Sequence, residues 1–296
     1  MNLTKYQALL KTVELGSITR AGEAMGYTQS AVSRAIAELE REWGLELLIR
    51  GRGGVALSSD GEMLLPYIQG VCNAAKELEE QAAELRGMTR GTLRVGTFTS
   101  VSIHWLPSMM KTFLDRYPGI QFELVSSWEF AEIEDLILRG QVDCGFLRLP
   151  AGEGLDAVPL RQDRLLAVLP PDHPLANAPC YPIARFAQDP YIRILEEKDV
   201  EISRIFQEEG VRPNLRYNVN DDFAILAMVE QGLGVSIMPE LVLRDSNRKF
   251  CAIPLDRPRF REIGLAVRSG KAPSPLTAHF LACAQEVVER ISTLDK

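Results

Sequence analysis

The sequence has few of the residues that build disulfide frameworks or metal sites. Its five cysteines are widely separated, at positions 72, 144, 180, 251 and 283. Because none of them forms a Cys-x-x-Cys pair, a zinc-finger pattern and a disulfide framework are excluded, and a reducing compartment is expected. The three histidines are also far apart, at positions 104, 173 and 279. We therefore predict no metal and no other cofactor.

Long apolar segments are absent too. No run of about 18 apolar residues occurs, which excludes a membrane-spanning helix. The first residues lack the charged-then-apolar layout of a signal peptide, so we expect a cytoplasmic protein without a membrane partner. What is present is an ordinary globular composition, with 46% hydrophobic and 25% charged residues. A length of 296 residues corresponds to about two domains.

Charge is unevenly distributed along the chain. The formal net charge is −7, yet residues 1–58 hold seven Lys/Arg against six Asp/Glu. The remainder holds 26 basic against 34 acidic residues, a net charge of −8. The N-terminal segment is thus the one part without excess negative charge, which favours it over the rest as the place for a nucleic-acid partner.

Residues 1–58, here called the head, have the pattern of three helices and a hairpin. Apolar residues at helical spacing predict a first helix that ends at Gly16 and a short second helix, capped by Ser17 or Thr19, that ends at Gly26. A third helix is predicted over 29–43, with Thr28 as its N-cap. Its inward face is predicted to consist of Ala31, Val32, Ala35, Ile36 and Leu39.

This pattern is that of a winged helix-turn-helix, in which the second helix of the motif enters the major groove of DNA. Gln29 has the amide that pairs with adenine, and Arg34 has the fork that suits guanine or phosphate. Arginines in the glycine-rich wing at 47–58 would reach backbone phosphates. The predicted DNA-binding residues are Thr28, Gln29, Ser30, Ser33, Arg34, Arg50 and Arg52. The alternative is a small helical domain with a solvated polar face.

A long helix follows, from a cap at Ser58 or Ser59 to about residue 87. Its apolar residues are spaced alternately four and three apart, at Leu64, Ile68, Val71, Ala75, Leu78, Ala82 and Leu85. A seam sustained over three heptads needs a partner helix, as in a coiled coil. We therefore predict dimerisation through these residues.

From residue 91 onward, strands alternate with helices, which is typical of a parallel α/β sheet. Strands are predicted at 92–97, 120–125, 142–146, 165–169, 191–195, 235–238 and 263–267. Helices are predicted at 106–117, 130–139, 200–209, 222–231 and 275–294. The pattern indicates two α/β lobes behind the helical head.

Two segments of the head, 17–25 (SITRAGEAM) and 28–36 (TQSAVSRAI), resemble the helix-turn-helix of LysR-type transcriptional regulators. The resemblance covers the whole chain, through Leu39, Glu40, Gly44, Leu47, Arg50, Leu57, Ser58, Gly61, 65–67 (LPY), 140–143 (GQVD), 172–175 (DHPL), 232–234 (GLG) and Pro239. Three packing positions depart from the family. Ile18 and Leu48 stand where Phe is usual, and Gly22 stands where Ala is usual, which bears on local stability.

The resemblance implies a fold and an assembly. The fold is α/β overall: a mostly helical winged helix-turn-helix (1–58), a linker helix (59–88), and a two-lobed effector module similar to periplasmic binding proteins (89–296). Lobe one would comprise about 91–161 and 267–296, and lobe two about 162–266. The linker helix would pair antiparallel with its twin in a homodimer, and two dimers would form a homotetramer. Double-stranded DNA and a small-molecule effector are the implied partners.

Ligands of open α/β sheets bind outside the carboxyl ends of the strands. Hydroxyl residues follow the first strand at the start of a helix, which favours an anion, and by resemblance Ser100 would hold an effector carboxylate. The predicted effector-binding residues are Thr99, Ser100, Ser102, Trp128, Arg148, Arg193, Asp222 and Phe223. The alternative is that Trp128 belongs to the core and that the arginines pair with nearby acids. An organic anion is the expected effector.

Other chemistries lack support in the sequence. Gly232-Leu233-Gly234 is no dinucleotide motif, because Ile237 stands where its third glycine belongs. No nucleophile, base and acid are arranged around His104, so we predict that the protein is not an enzyme. Peroxide-sensing LysR relatives use a cysteine pair in the second lobe, and residues 181–250 contain no cysteine. A second function class stays open, a solute-binding or small-molecule-processing α/β protein with a helical dimerisation head.

Overall fold

The computed structural model describes residues 3–51, 54–84, 90–127, 129–194 and 200–294, except for the side chains at 50, 80, 81, 83, 84, 200 and 294. Contacts between residues divide the chain into two compact units, Met1–Met88 and Thr89–Lys296. Within the described ranges, no helix is both long and apolar enough to cross a membrane.

The three predicted helices of the head are present, as α1 (Leu3–Leu15), α2 (Ile18–Met25) and α3 (Gln29–Trp43). Side chains start two of them, because Ser17 accepts a hydrogen bond from the Arg20 N–H and Thr28 accepts one from the Ala31 N–H. All three helices contribute to one core, which includes Leu9, Ile18, Ala21, Val32, Ile36, Leu39, Leu47 and Leu48. The prediction that Ala31 faces inward is wrong. Ala31 lies in the first turn of α3, one residue outside the buried stripe, and is exposed.

Gly22 allows the turn between α2 and α3 to lie against α2. A Cβ on Gly22 would be 2.8 Å from the Tyr27 carbonyl oxygen and 3.2 Å from the Gln29 nitrogen. Since both neighbours are backbone atoms, an alanine here would force the turn away from the helix. The departure from the family at this position therefore has a packing reason.

The predicted hairpin follows as β1 (Leu48–Gly51) and β2 (Gly54–Leu57), which pair antiparallel with Leu48 opposite Leu57. The long helix α4 (Ser59–Glu84) begins directly afterwards. Ser58 is its capping residue, because the Ser58 hydroxyl accepts a 2.9 Å hydrogen bond from the Gly61 N–H. Pro66 lies inside α4.

The heptad seam of α4 divides into two parts. Ile68 is buried in the core of the head, and Leu64 packs against that core. Farther along, Leu78 is 72% exposed, and Ala82 is also exposed. Leu85 lies outside the described residues. The first part of the seam is therefore used within the unit, and the second part presents apolar surface to solvent.

The second unit alternates strands and helices. Its strands are β3 (Gly91–Thr97), β4 (Ile120–Ser126), β5 (Cys144–Arg148), β6 (Leu155–Leu169), β7 (Tyr191–Ile194), β8 (Leu215–Val219), β9 (Ser236–Pro239) and β10 (Cys251–Arg268). Its helices are α5 (Thr99–His104), α6 (Leu106–Arg116), α7 (Phe130–Leu138), α8 (Val200–Glu208), α9 (Asp222–Glu230), α10 (Glu240–Leu243) and α11 (Pro275–Leu294), with a 3₁₀ helix at Ile183–Ala187.

The main sheet has six strands in the order β4-β3-β5-β10-β6-β9. β3 pairs parallel with β4 and β5, as predicted, but β10 is antiparallel to β5 and β6, and β6 is antiparallel to β9. The prediction of a parallel sheet is therefore confirmed for β3, β4 and β5, and it is wrong for the pairings β5–β10, β10–β6 and β6–β9. β7 and β8 form a separate parallel pair.

β6 and β10, of 15 and 18 residues, are the longest strands described in this unit. They pair over most of their length, with register shifts between Pro254 and Arg259 and between Ile263 and Gly264. The sequence predicted only the C-terminal part of each strand, at 165–169 and 263–267. On one side of the shifts, residues of both strands join a core cluster with α8 and β7. Residues of β6 also join a second cluster, with β7 and α9.

Gly61 provides a stability test with a matched control in the same helix. A Cβ on Gly61 would be 2.3 Å from the Leu47 carbonyl oxygen and 2.9 Å from Leu57 Cδ2, whereas a Cβ on Gly70 would meet nothing within 4 Å. We expect Gly61→Ala to lower the free energy of unfolding of the first unit by about 1–3 kcal/mol through overpacking. Gly70→Ala should be neutral or stabilising by up to about 1 kcal/mol. Urea unfolding of both variants measures this, and equal effects would contradict the close approach.

Candidate functional site

The first candidate site is the outward face of α3 in the head. Gln29, Ser30 and Arg34 are exposed there, and Ser33 is half-buried. The hydroxyls of Thr28 and Ser30 are 3.0 Å apart. Thr28, the N-cap of α3, is exposed together with Gln29 and Ser30. The helix therefore begins with polar groups that face solvent. Five of the seven predicted DNA-binding residues thus lie together at the N-terminal half of one helix.

The second part of this surface is the hairpin β1–β2. Glu40 of α3 accepts hydrogen bonds from the backbone N–H groups of Leu47 and Leu48, which fixes the start of the hairpin to α3. The Val55 N–H donates to the Gly16 carbonyl and so ties the second strand to the end of α1. Arg52 and the side chain of Arg50 lie outside the described residues, and their role in DNA binding stays a prediction.

The second candidate site is a cavity of about 350 Å³ in the second unit. It is surrounded by the start of α5, the start of α7, the end of β5, β9, β10, α8 and the start of α9. Its lining residues are Phe98, Thr99, Ser100, Phe130, Arg148, Leu165, Ile194, Glu201, Ile202, Asn220, Asp221, Asp222, Phe223, Ile225, Ile237, Met238, Pro239 and Arg261. Most of these residues are apolar, and the charged ones are Arg148, Glu201, Asp221, Asp222 and Arg261.

A buried guanidinium lies at one end of the cavity. Arg261 of β10 is 8% exposed and forms an ion pair with Asp163 of β6, with Nη2 2.7 Å from Oδ2. It also donates a 3.0 Å hydrogen bond to the Ser100 hydroxyl, and its guanidinium lies 5.5 Å from the centre of the Phe98 ring. Asp163 accepts a further bond from the Leu241 N–H. Both charges are thus compensated, as burial requires.

A second guanidinium, that of Arg148, lies at the end of β5. Its Nε is 3.7 Å from a carboxylate oxygen of Glu201, and its Cζ is 5.6 Å from the centre of the Phe130 ring. Burial raises the pKa of Glu201, an effect that the positive charge of Arg148 opposes. Each of the two guanidinium groups thus lies over a phenylalanine ring and is paired with a carboxylate.

Five of the eight predicted effector-binding residues line this cavity: Thr99, Ser100, Arg148, Asp222 and Phe223. Two others are not among the lining residues. Ser102 donates to the Phe98 carbonyl and contacts Thr97 Oγ1. Arg193 donates to Asn218 across the β7–β8 pair. Trp128 lies outside the described residues.

The sequence did not suggest Arg261 or Glu201. Arg261 lies in a stretch of β10 that was not predicted as strand, and Glu201 lies near the start of a helix that was predicted but given no role. Arg261 is brought to the cavity by the pairing of β10 with β6, and Glu201 by the packing of α8. Neither contact leaves a pattern in the neighbouring sequence. Asp163 lies two residues before the apolar run that begins at Leu165, and it is buried. A count of charged residues does not reveal which carboxylates are buried.

Other titratable groups form no catalytic arrangement within the described ranges. His104 Nδ1 is 3.8 Å from Asp245, and burial lowers the pKa of this histidine. The buried hydroxyl of Tyr181 donates to Asp189, which His173 also contacts. In the part of the chain that the structure describes, no three His, Cys, Asp or Glu residues are grouped to hold a metal ion.

Two family models match the chain, one on each unit. The model "Bacterial regulatory helix-turn-helix protein, lysR family" matches residues 3–62, and "LysR substrate binding domain" matches residues 86–289. The chain belongs to the LysR family. It is a DNA-binding transcriptional regulator with an effector-binding domain, which decides against the solute-handling alternative.

Similar proteins span nearly the whole chain. The protein named "Probable HTH-type transcriptional regulator LrrA" of Synechococcus elongatus is 30% identical over 98% of this chain and 99% of its own. A full-length OxyR variant from Pseudomonas aeruginosa has a TM-score of 0.78 at 20% identity, covering 98% of this chain and 95% of that one. The effector-binding domain of QuiR in complex with shikimate has a TM-score of 0.61 at 20% identity, covering 68% and 98%. At these identities the two structures show the LysR fold alone.

The exposed amide of Gln29 provides a test of base reading. We expect Gln29→Ala to weaken binding to the DNA upstream of the regulator's own coding region by roughly 1–3 kcal/mol, the value of one bidentate base contact. Binding to a shuffled duplex of equal length should change little. The matched control is Gln7→Ala, which removes an exposed glutamine from α1. Gel-shift titrations measure both, and an equal loss on the two duplexes would leave Gln29 with a phosphate contact instead.

Proposed function

We propose that this LysR regulator is controlled by a small organic anion that binds in the cavity of the second unit and alters how the protein engages DNA. The observation that carries the proposal is the pair of guanidinium groups of Arg148 and Arg261 at a cavity with aromatic walls. The expected ligand is an aromatic or short-chain carboxylate.

The chemistry of the lining residues supports this choice. A guanidinium presents a planar fork that matches a carboxylate. Thr99 adds a hydroxyl at the same side, and Phe98, Phe130 and Phe223 add apolar surface for the body of the ligand. A cavity of about 350 Å³ is at the lower end of the usual range for ligand sites. The shikimate bound to QuiR is itself a carboxylate, which agrees with the proposal.

On the DNA side, we propose that Gln29, Ser33 and Arg34 contact base edges or phosphates, and that Thr28 and Ser30 contact the backbone. Arg50 and Arg52 of the wing are proposed to contact phosphates. The exposed face of α3 supports the first group. We place the protein in the cytoplasm, where its DNA is, and we infer that it has no catalytic role.

For the assembly, we propose a homodimer through α4, and a homotetramer built from two dimers. Leu78 is 72% exposed on a seam that continues through Val71, Ala75 and Ala82. A solvent-exposed leucine in the middle of a heptad seam is favourable only when a partner helix covers it. Domain limits of 1–58, 59–88 and 89–296, and the two lobes, are proposed on the same family basis.

The role of α4 is tested with Leu78→Lys. A charge in the seam should lower the mass found by sedimentation velocity and reduce operator affinity by about 100-fold, because two half-sites are no longer bound together. Glu79→Lys is the matched control, since it adds a lysine at the neighbouring exposed position outside the seam. An unchanged mass for Leu78→Lys would mean that the seam packs within one chain.

The charge of the effector is tested by thermal shift. Sodium acetate, butyrate, benzoate and phenylacetate are compared with the corresponding amides. A carboxylate that binds the native state should raise the Tm by roughly 2–4 °C for each kcal/mol of stabilisation, and Arg148→Gln should reduce the effect. Arg139→Gln is the control, because Arg139 pairs with Asp135 on the surface. Stabilisation by the amides as strongly as by the carboxylates, or by the carboxylates equally in Arg148→Gln, would contradict the proposal.

A further inference from the structure

An ion pair crosses the cavity from one wall to the other. Arg148 ends β5, and Glu201 lies in the first turn of α8, with Nε and Oε1 3.7 Å apart and the side chains 24% and 27% exposed. α8 is packed through Ile202 and Phe206 into a core cluster that also contains Tyr191 of β7. The two partners therefore belong to differently packed parts of the domain and meet at the ligand site.

Glu201 lies beside the Nε edge of the Arg148 guanidinium, at 3.7 Å. Phe130 covers the guanidinium from another side, at 5.6 Å from its ring centre. A carboxylate that binds Arg148 through Nε must therefore displace the carboxylate of Glu201 or lie against it. If both stayed charged, two carboxylates would share a partly desolvated space, which strongly disfavours the ionised form of one of them.

The other charged groups around Glu201 do not remove this conflict. Arg261 of β10 and Arg204 of α8 also contribute positive charge, and Asp163 of β6 contributes negative charge. Arg261 is already paired with Asp163. Asp222 in the first turn of α9 and Asp221, its N-cap, line the same cavity and add further negative charge. Burial already raises the pKa of Glu201 in the ligand-free protein.

We propose that Glu201 is the charge gate of the cavity: it neutralises Arg148 in the ligand-free protein, and it binds one proton from solvent when an anionic effector takes its place. The inference rests on the proposed anionic effector. The ligand carboxylate and the proton enter together, so the net charge of the cavity does not change on binding. A protonated Glu201 is then a hydrogen-bond donor to the ligand.

The test is isothermal titration of the full chain with sodium benzoate in two buffers of different ionisation enthalpy. Where Glu201 is ionised in the ligand-free protein, the wild type should take up about one proton for each benzoate bound, and its affinity should fall as the pH rises from about 5.5 to about 8. Glu201→Gln should take up no proton. It should bind benzoate roughly five-fold more tightly near pH 8, because the competing carboxylate is gone.

Glu230→Gln is the matched control. Glu230 also pairs with an arginine, at 3.1 Å from Arg248, and has a similarly exposed side chain, but it is not among the residues that line the cavity. This variant should bind benzoate with the proton uptake of the wild type. A Glu201→Gln variant with wild-type affinity and proton uptake would overturn the charge gate and leave the anionic effector standing.

Two further outcomes are informative. If benzoate binds neither the wild type nor Glu201→Gln, the charge gate is wrong, because an Arg148 freed from Glu201 should hold a small aromatic carboxylate. If benzamide then binds both proteins, the anionic effector of the proposed function is wrong as well. The two failures are therefore distinguishable in one series of titrations.

Discussion

A guanidinium withdrawn from water needs compensation on several sides, and the effector-binding domain is arranged around one such group. Arg261 on β10 is held by Asp163 on β6, bonds Ser100 at the start of α5, and lies over Phe98. Asp163 in turn receives the N–H of Leu241 in α10. Removing one partner of such a pair costs several kcal/mol, because the other charge stays buried. The pair therefore fixes where two strands and two helices meet, and the cavity lies at that meeting point.

Exclusion of water also determines how strongly charges interact inside the cavity. A site enclosed by phenylalanine and isoleucine side chains weakens the screening of any charge inside it. Arg148 and Glu201 consequently influence each other more strongly than a surface pair at 3.7 Å would. An anionic ligand of the kind proposed would enter a space where Arg148 and Arg261 are already paired with Glu201 and Asp163.

The head was predictable from the sequence almost residue by residue, because its signals are local. Ser17, Gly26 and Thr28 mark helix ends through their own backbone and side-chain chemistry. The long strands β6 and β10 were predicted only at their apolar ends, since their remaining residues are extended through pairing with distant strands. For the cavity, Thr99 and Ser100 were predictable from the rule that strand ends carry ligand residues. Arg261 and Glu201 were not, because they join the site only when the chain is folded.

The start of α4 is built into the core of the head through Leu64 and Ile68. The head and the first turns of α4 therefore form one packed body. With a rise of about 1.5 Å per residue, the 26 residues of α4 span roughly 39 Å. A tilt of about 5° at one end displaces the other by roughly 3 Å, which is the size of a hydrogen bond. The base contacts proposed for α3 would therefore be sensitive to changes of a few degrees in the tilt of α4.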